Sequence, residues 1–342
     1  SGWADQRCRP WRPAGGLLVV LLAFTSTPAF AQVLAPTSRG IVVAQGGRIH
    51  LDGGWTADGV EHATDIVVGS DRVAVLDALN NEVAIAELAT GRTTRARTAE
   101  TPIAGAFVGR DLYVLARDAR AVEKIGGRRI GVDPDPAFLR ESNGSLYVYS
   151  RATGAIEEIS GERVTRRIAV APFASDFDVS GRTAYLVYPR EARIRMVSLD
   201  PMRTAGEVAV GAVPVDMDFA GGGTAISARI LAVADPSAKR VWLTEAAQST
   251  ATAIARGFLR GFLGLGLFGS RSSQFPTGVD RVVIRGKTWL AYDSSSGTLY
   301  RFTRSKSSVI AKGVAPQAFA VTADGAVRYW QNGTLVAERT AR

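Results

Sequence analysis

Asp65-Ile66-Val67-Val68, then Gly69-Ser70-Asp71, then Arg72-Val73-Ala74-Val75-Leu76-Asp77, then Asn80-Asn81, then Val83-Ala84-Ile85-Ala86: three apolar stretches parted by short polar turns follow one another in a single run of chain. β-Branched residues in runs of four to six, bounded by Gly, Asp and Asn, read as antiparallel strands joined by tight turns. The same order returns. Gly105-Ala106-Phe107-Val108 leads through Gly109-Arg110-Asp111 to Leu112-Tyr113-Val114-Leu115, and Asn143-Gly144 precedes Ser145-Leu146-Tyr147-Val148-Tyr149. Asp176-Phe177-Asp178-Val179 turns at Ser180-Gly181-Arg182 into Ala184-Tyr185-Leu186-Val187. Asp216-Met217-Asp218-Phe219 and Ile230-Leu231-Ala232-Val233, Asp280-Arg281-Val282-Val283 and Trp289-Leu290-Ala291-Tyr292, and Ala318-Phe319-Ala320-Val321 and Val327-Arg328-Tyr329-Trp330 complete seven instances.

Successive second strands begin roughly 35 to 60 residues apart, most near 40, the period of a four-stranded propeller blade. The expectation is therefore an all-β chain forming a single β-propeller of about seven four-stranded blades. A two-domain β-sandwich would not call for one repeated hairpin pattern. Gly40-Ile41-Val42-Val43-Ala44 and Arg48-Ile49-His50-Leu51 supply one more hairpin ahead of the first repeat. Its simplest use is N-terminal closure of the last blade, so that the ring leaves no open edge.

The triplets Leu112-Tyr113-Val114, Leu146-Tyr147-Val148 and Ala184-Tyr185-Leu186, the last preceded by Val179-Ser180-Gly181-Arg182, resemble those of YVTN/NHL-type and quinoprotein amine dehydrogenase β-chain-like propellers. The resemblance covers most of residues 40–340 and concerns the blade. It implies a propeller, and its family hosts both binding modules and enzymes.

Residues 1–31 are set apart from that domain. Arg7, Arg9 and Arg12 precede the apolar run Gly16–Phe24, and Ala29-Phe30-Ala31 follows. A basic head, a short apolar core and a small-x-small site make a secretory signal peptide, with cleavage expected after Ala31. The core is well short of the roughly 20 residues that span a bilayer. The mature domain, residues 32–342, is then periplasmic or secreted. The only cysteine, Cys8, lies in the leader, which removes thiol chemistry and Cys-based metal sites from the mature chain. The whole chain carries a formal charge of +9, spread without a dense Lys/Arg block. A solvated basic surface explains it, and nucleic acid is not an expected partner.

Two features depart from a plain propeller. Aligned on their turns, the repeats place Asp65, Asp176, Asp216 and Asp280 at the opening of the first strand, with Asp178 and Asp218 two residues on and pointing the same way. The carboxylates are expected to cap interblade turns, to gather on the axis around Ca²⁺ or another divalent cation, or to bind substrate. The second feature is an apolar, Gly-rich insertion at about residues 245–276. In it Phe258, Leu259, Phe262 and Leu263 have helical spacing beside Arg256 and Arg260. Either residues 253–269 fold back over the ring, or they dock on another protein or a membrane surface.

Other motifs carry less. Gly264-x-Gly266-x-x-Gly269 copies a dinucleotide fingerprint, but no strand runs into it and no βαβ unit surrounds it. His50 and His62 accompany neither a nucleophile elbow nor a zinc-binding helix. Asn143-Gly144-Ser145 and Asn332-Gly333-Thr334 match the glycosylation acceptor pattern and are also ideal hairpin turns. Trp242, Trp289 and Trp330 fall on strands and read as interblade core. With no nucleophile, base and orienter to assemble, the expected function is an exported, non-catalytic ligand- or protein-binding scaffold. The alternative is a propeller enzyme using the axial carboxylates, such as a metal-assisted lactonase or hydrolase, or a quinoprotein dehydrogenase-like subunit.

Overall fold

A computed structural model describes residues 32–220, 229–246, 271–303, 306–322 and 324–338. These residues form eight antiparallel meanders, seven of four strands and one of three. The first strands, innermost in each sheet, are Val33–Thr37, Asp65–Val68, Pro102–Val108, Pro136–Ser142, Asp176–Ser180, Asp216–Ala220, Arg281–Arg285 and Phe319–Val321. Each neighbours the first strand of the next blade, and the eighth neighbours the first, which closes a ring. Blades are numbered 1 to 8 in that order.

The ring therefore has eight blades rather than about seven, and the N-terminal hairpin does not complete the last one. Gly40–Gln45 and Arg48–Leu51 are the second and third strands of blade 1, flanked by Val33–Thr37 inside and Thr56–Asp58 outside. Both flanking strands are hard to read in sequence: one holds Pro36 and the other is only three residues long. Proline is tolerated because an innermost strand is an edge strand and need not donate on its free side. Closure is by packing: Leu34, Ile41 and Val43 join Phe319, Val321 and Tyr329 in one cluster, and the Leu34 N–H donates to the Gln317 carbonyl at 3.0 Å.

The core lies in the seams between blades, because strand side chains stand normal to their sheet and the sheets stack face to face. Tyr149, Phe177, Leu186 and Tyr188 fill the seam between blades 4 and 5, and Tyr185, Val187, Leu231 and Val233 the next. Second strands are covered on both faces, so Val73, Ala74, Val75 and Leu76 are all buried and alternation disappears from them. It survives in outer strands such as Arg163–Ala169, where exposure changes at every residue. Asn143 and Gly144 (φ 54° and 79°) and Asn332 and Gly333 (φ 50° and 81°) adopt the left-handed pairs that a two-residue hairpin turn requires. Trp289 and Trp330 pack into interblade clusters, and Trp242 lies against another.

Candidate functional site

The inner wall carries the charged side chains that the sequence singles out: Asp65 in blade 2, Asp176 and Asp178 in blade 5, Asp216 and Asp218 in blade 6, and Asp280 at the start of blade 7. The column is real at three positions. Asp65 pairs across its hairpin with Leu76, Asp176 with Val187 and Asp216 with Ala234, each at the last apolar residue or two of the second strand. In blade 7 the equivalent partner, Tyr292, pairs with Arg281. Asp280 sits one residue earlier, its N–H donating to the Tyr292 carbonyl as Thr64, Ser175 and Val215 do in their blades. A one-residue offset reverses the face of a strand residue. The Asp280 carboxylate accordingly turns to the Ser294 hydroxyl and N–H. The fourth member of the column is an arginine.

The same offset logic places Arg140. It pairs with Tyr147, two residues before Tyr149, and so matches Asp178, which pairs with Tyr185, and Asp218, which pairs with Ala232. Its guanidinium lies 3.3 Å from Asp178 and 3.9 Å from Asp176. Arg285 reaches Asp218 at 3.0 Å. Arg281 stacks over Phe319, 5.1 Å from the ring centre, and donates to the Pro316 carbonyl at 2.6 Å.

The carboxylates do not aim down the axis. They enter the seams, as strand geometry demands, and hold backbone N–H groups there. One oxygen of Asp176 accepts the N–H of Phe177 at 2.8 Å and the other accepts that of Met217, in the next blade, at 3.0 Å. Asp216 accepts the N–H of Val282 at 2.7 Å, again one blade on. Asp218 takes the N–H groups of Phe219 and Ile284, at 2.8 and 2.7 Å. Asp65 and Asp178 cap Ile66 and Val179 in their own strands. First strands of neighbouring blades share no ladder, and Asp176, Asp216 and Asp218 link them instead. Among the described residues no group of three or more His, Cys, Asp or Glu is placed to hold a metal ion.

The environment leaves these acids reluctant to ionise. Burial pushes Asp65, Asp176 and Asp218 above the usual carboxylate range, opposed by Arg140 for Asp65 and Asp176, by Arg281 for Asp65, by Arg285 for Asp218, and by the donated N–H groups. Asp216 is pushed well above it, first by burial and then by the charge of Asp176.

A second set of acids, missed in the sequence, works at the same ends of the second strands, one residue beyond Leu76, Ala234 and Tyr292, the cross-strand partners of the column. Asp77, Asp235 and Asp293 close the second strands of blades 2, 6 and 7 and are 0%, 0% and 1% exposed. Asp235 accepts the N–H groups of Ala212 and Ala238, the Ser237 hydroxyl and the Trp242 indole N–H. Asp77 accepts the N–H groups of His62, Leu79 and Asn80 and the Asn80 side-chain amide. Asp293 holds Ser295 and Ser296. Burial raises each pKa, but the donors outweigh it and the net shift is downward. Glu123 and Glu157 do the same work in blades 3 and 4, accepting the linker N–H groups of Ala99 and Asp133. The available signal was an Asp one residue past an apolar strand and ahead of a polar turn.

Phe258, Leu259, Phe262 and Leu263 lie outside the described residues, as do residues 1–31 and the Gly264-x-Gly266-x-x-Gly269 run. The described stems show where the insertion leaves the ring: residues 247–270 join the third and fourth strands of blade 6, Arg240–Ala246 and Arg271–Gln274. Residues 221–228 join its first and second strands, and in a meander those two connections open on one face. His50 contacts the hydroxyl of its cross-strand partner Thr56 at 2.8 Å, and His62, in the linker into blade 2, contacts the Asn80 amide at 3.1 Å.

With the geometry fixed, the chain can be set beside known proteins. BamB from Moraxella catarrhalis superposes with a TM-score of 0.61 at 9% identity, over 89% of this chain and 94% of that one. The dihydro-heme d1 dehydrogenase NirN, solved in complex with DHE, gives 0.61 at 11% identity, over 90% of this chain and 70% of its own. Hydrazine synthase of Kuenenia stuttgartiensis gives 0.57 at 12%, over 84% and 99%. The chain has the β-propeller fold. At these identities the likeness speaks for the fold alone. No family model and no curated protein matches the sequence.

Proposed function

We propose that this propeller is an exported, non-catalytic binding scaffold that engages a protein partner, with blade 6 as the contact. The observation that carries this reading is the use made of the inner-wall carboxylates. Asp176 and Asp218 each accept two backbone N–H groups, one from the neighbouring blade, and Asp216 clamps Val282. Acids engaged in this way position blades, and the wall they build is a frame. The part of the sequence that such a frame presents is the apolar insertion, whose stems leave blade 6 beside the 221–228 connection. An apolar loop of that length needs a surface to cover it. The basic, apolar-cored leader supports export to the periplasm or beyond. BamB shows the same architecture in another protein.

One observation favours the enzymatic alternative. Asp216, held well above the ordinary range beside Asp176, can keep a proton, which a general acid needs. The two readings part in a single comparison. A chain in which residues 253–269 are replaced by a Gly/Ser linker of equal length should keep its melting temperature and lose association with envelope proteins. If association survives unchanged, the insertion is only a cap and the scaffold reading through blade 6 fails. An activity abolished by Asp216→Asn would favour the enzyme.

A further inference from the structure

We propose that the outer edge of blade 8 is a self-association surface, where the strand Thr334–Glu338 pairs antiparallel with the same strand of a second copy of the chain. The inference is independent of the blade 6 reading. Seven blades end in a fourth strand that covers the third; among the described residues the third strand of blade 8 pairs only with Val327–Gln331. The consequence shows in burial. Five of the six residues of the third strand of blade 4, Ala155–Ser160, are buried, whereas none of Thr334–Glu338 is.

The turn determines which groups are free. Asn332-Gly333 joins Gln331 directly to Thr334 as a hydrogen-bonded pair. Backbone groups of Thr334, Val336 and Glu338 then point to the second strand, and those of Leu335 and Ala337 point out of the sheet. Among the described residues these outward groups meet no strand, and a row of such donors and acceptors is a template for one. These five residues lack the Pro or Lys that usually guards such an edge.

A second copy fits it by symmetry. With a two-fold axis at Val336, Leu335 meets Ala337 of the other copy, Val336 meets Val336, and Thr334 meets Glu338. Both outward-facing residues then find hydrogen-bonded partners, and no like charges face each other in a chain of net charge +9. The one charge on the strand, Glu338, is already held by Arg301 of blade 7 at 2.8 Å. Five paired residues a side fall short of the roughly 1,200–2,000 Å² of a standard interface, so the dimer is weak and depends on concentration.

The test is sedimentation velocity of the full chain from micromolar to near-millimolar concentration, with amide exchange read at the same points. The expected result is a reversible dimer, with exchange at Leu335 and Ala337 slowing as concentration rises while Val336 stays unchanged. Ala337→Pro removes an outward donor without touching the bonds to the second strand, and should weaken dimerisation about tenfold or more at unchanged melting temperature. Ala337→Lys places a guard charge there and keeps the test available if the proline variant does not fold. A chain that stays monomeric throughout overturns the proposal. So does protection of Leu335 and Ala337 at every concentration, which would mean a strand of the same chain covers the edge, and so does a dimer that both variants leave intact.

Discussion

Two sets of buried aspartates in this propeller respond to burial in opposite ways. Asp77, Asp235 and Asp293, at the ends of second strands, sit below the ordinary carboxylate range; Asp65, Asp176, Asp216 and Asp218, on the inner wall, sit above it. Desolvation is the first cause in both sets. The inner-wall carboxyls are the more densely enclosed by protein, and the donors differ as well. Asp235 receives four hydrogen bonds from two backbone N–H groups, a hydroxyl and an indole, supplied by the turn after it, the third strand and the linker it holds. Asp216 receives one from Val282 and faces the charge of Asp176. How densely protein encloses an acid, weighed against the donors and like charges it meets, decides which way its pKa moves.

The largest effect tests the well-supplied set. Asp235→Ala leaves four donors around a buried position without an acceptor and should cost about 3–5 kcal/mol of unfolding free energy in denaturant titration. A loss below about 1 kcal/mol would mean water replaces the carboxylate with ease and the two sets are not distinct in kind.

Asp216→Asn tests the poorly supplied set, with the opposite sign. The amide oxygen still accepts from Val282, while the cost of burying a charge next to Asp176 disappears. A carboxyl whose folded pKa is raised contributes stability that is fully present below its unfolded pKa and is lost as pH rises through the folded one. The variant has no such loss. It should therefore match the native chain in acid and exceed it at and above neutral pH, by about 1–2 kcal/mol. Equal stability at all pH values would place Asp216 in the ordinary range.

Arg140→Met sharpens the same point from the other side. Removing the cation that opposes burial should push Asp176 and Asp65 higher, deepen the loss of stability with rising pH, and cost about 1 kcal/mol at neutral pH. Thermal unfolding across pH reads it, and a uniform loss at every pH would assign the effect to packing. The smallest effect is the baseline. The exposed Arg48–Asp58 pair, at 2.8 Å, should contribute below about 1 kcal/mol in a double-mutant cycle and fade with added salt.

The contrast also marks what the sequence could reveal. The repeat was legible because turn residues and apolar runs recur with a steady period, and each Asn-Gly turn lies where its residue types require. Blade 1 was half-hidden, since Val33–Thr37 contains Pro36 and Thr56–Asp58 is too short to show a pattern. The column of aspartates was visible at Asp65, Asp176 and Asp216, but the turns alone could not separate Asp280 from Arg281, because register is set by pairing across the hairpin. That the carboxylates enter seams follows from the stacking of blades, which no single blade's sequence records. Asp77, Asp235 and Asp293 read as ordinary turn residues, since their second partners, such as His62 and Ala212, lie 15 and 23 residues away in the linkers.

The most direct test of the account is a site-resolved titration of the aspartate carboxyl groups by NMR, with and without Ca²⁺. The account predicts that Asp77, Asp235 and Asp293 titrate below the ordinary range and Asp65, Asp176, Asp216 and Asp218 above it, Asp216 highest, with Ca²⁺ changing neither set. Inner-wall carboxyls that titrate with the other three, or that Ca²⁺ draws downward, would contradict it and make the wall a cation site instead of a frame.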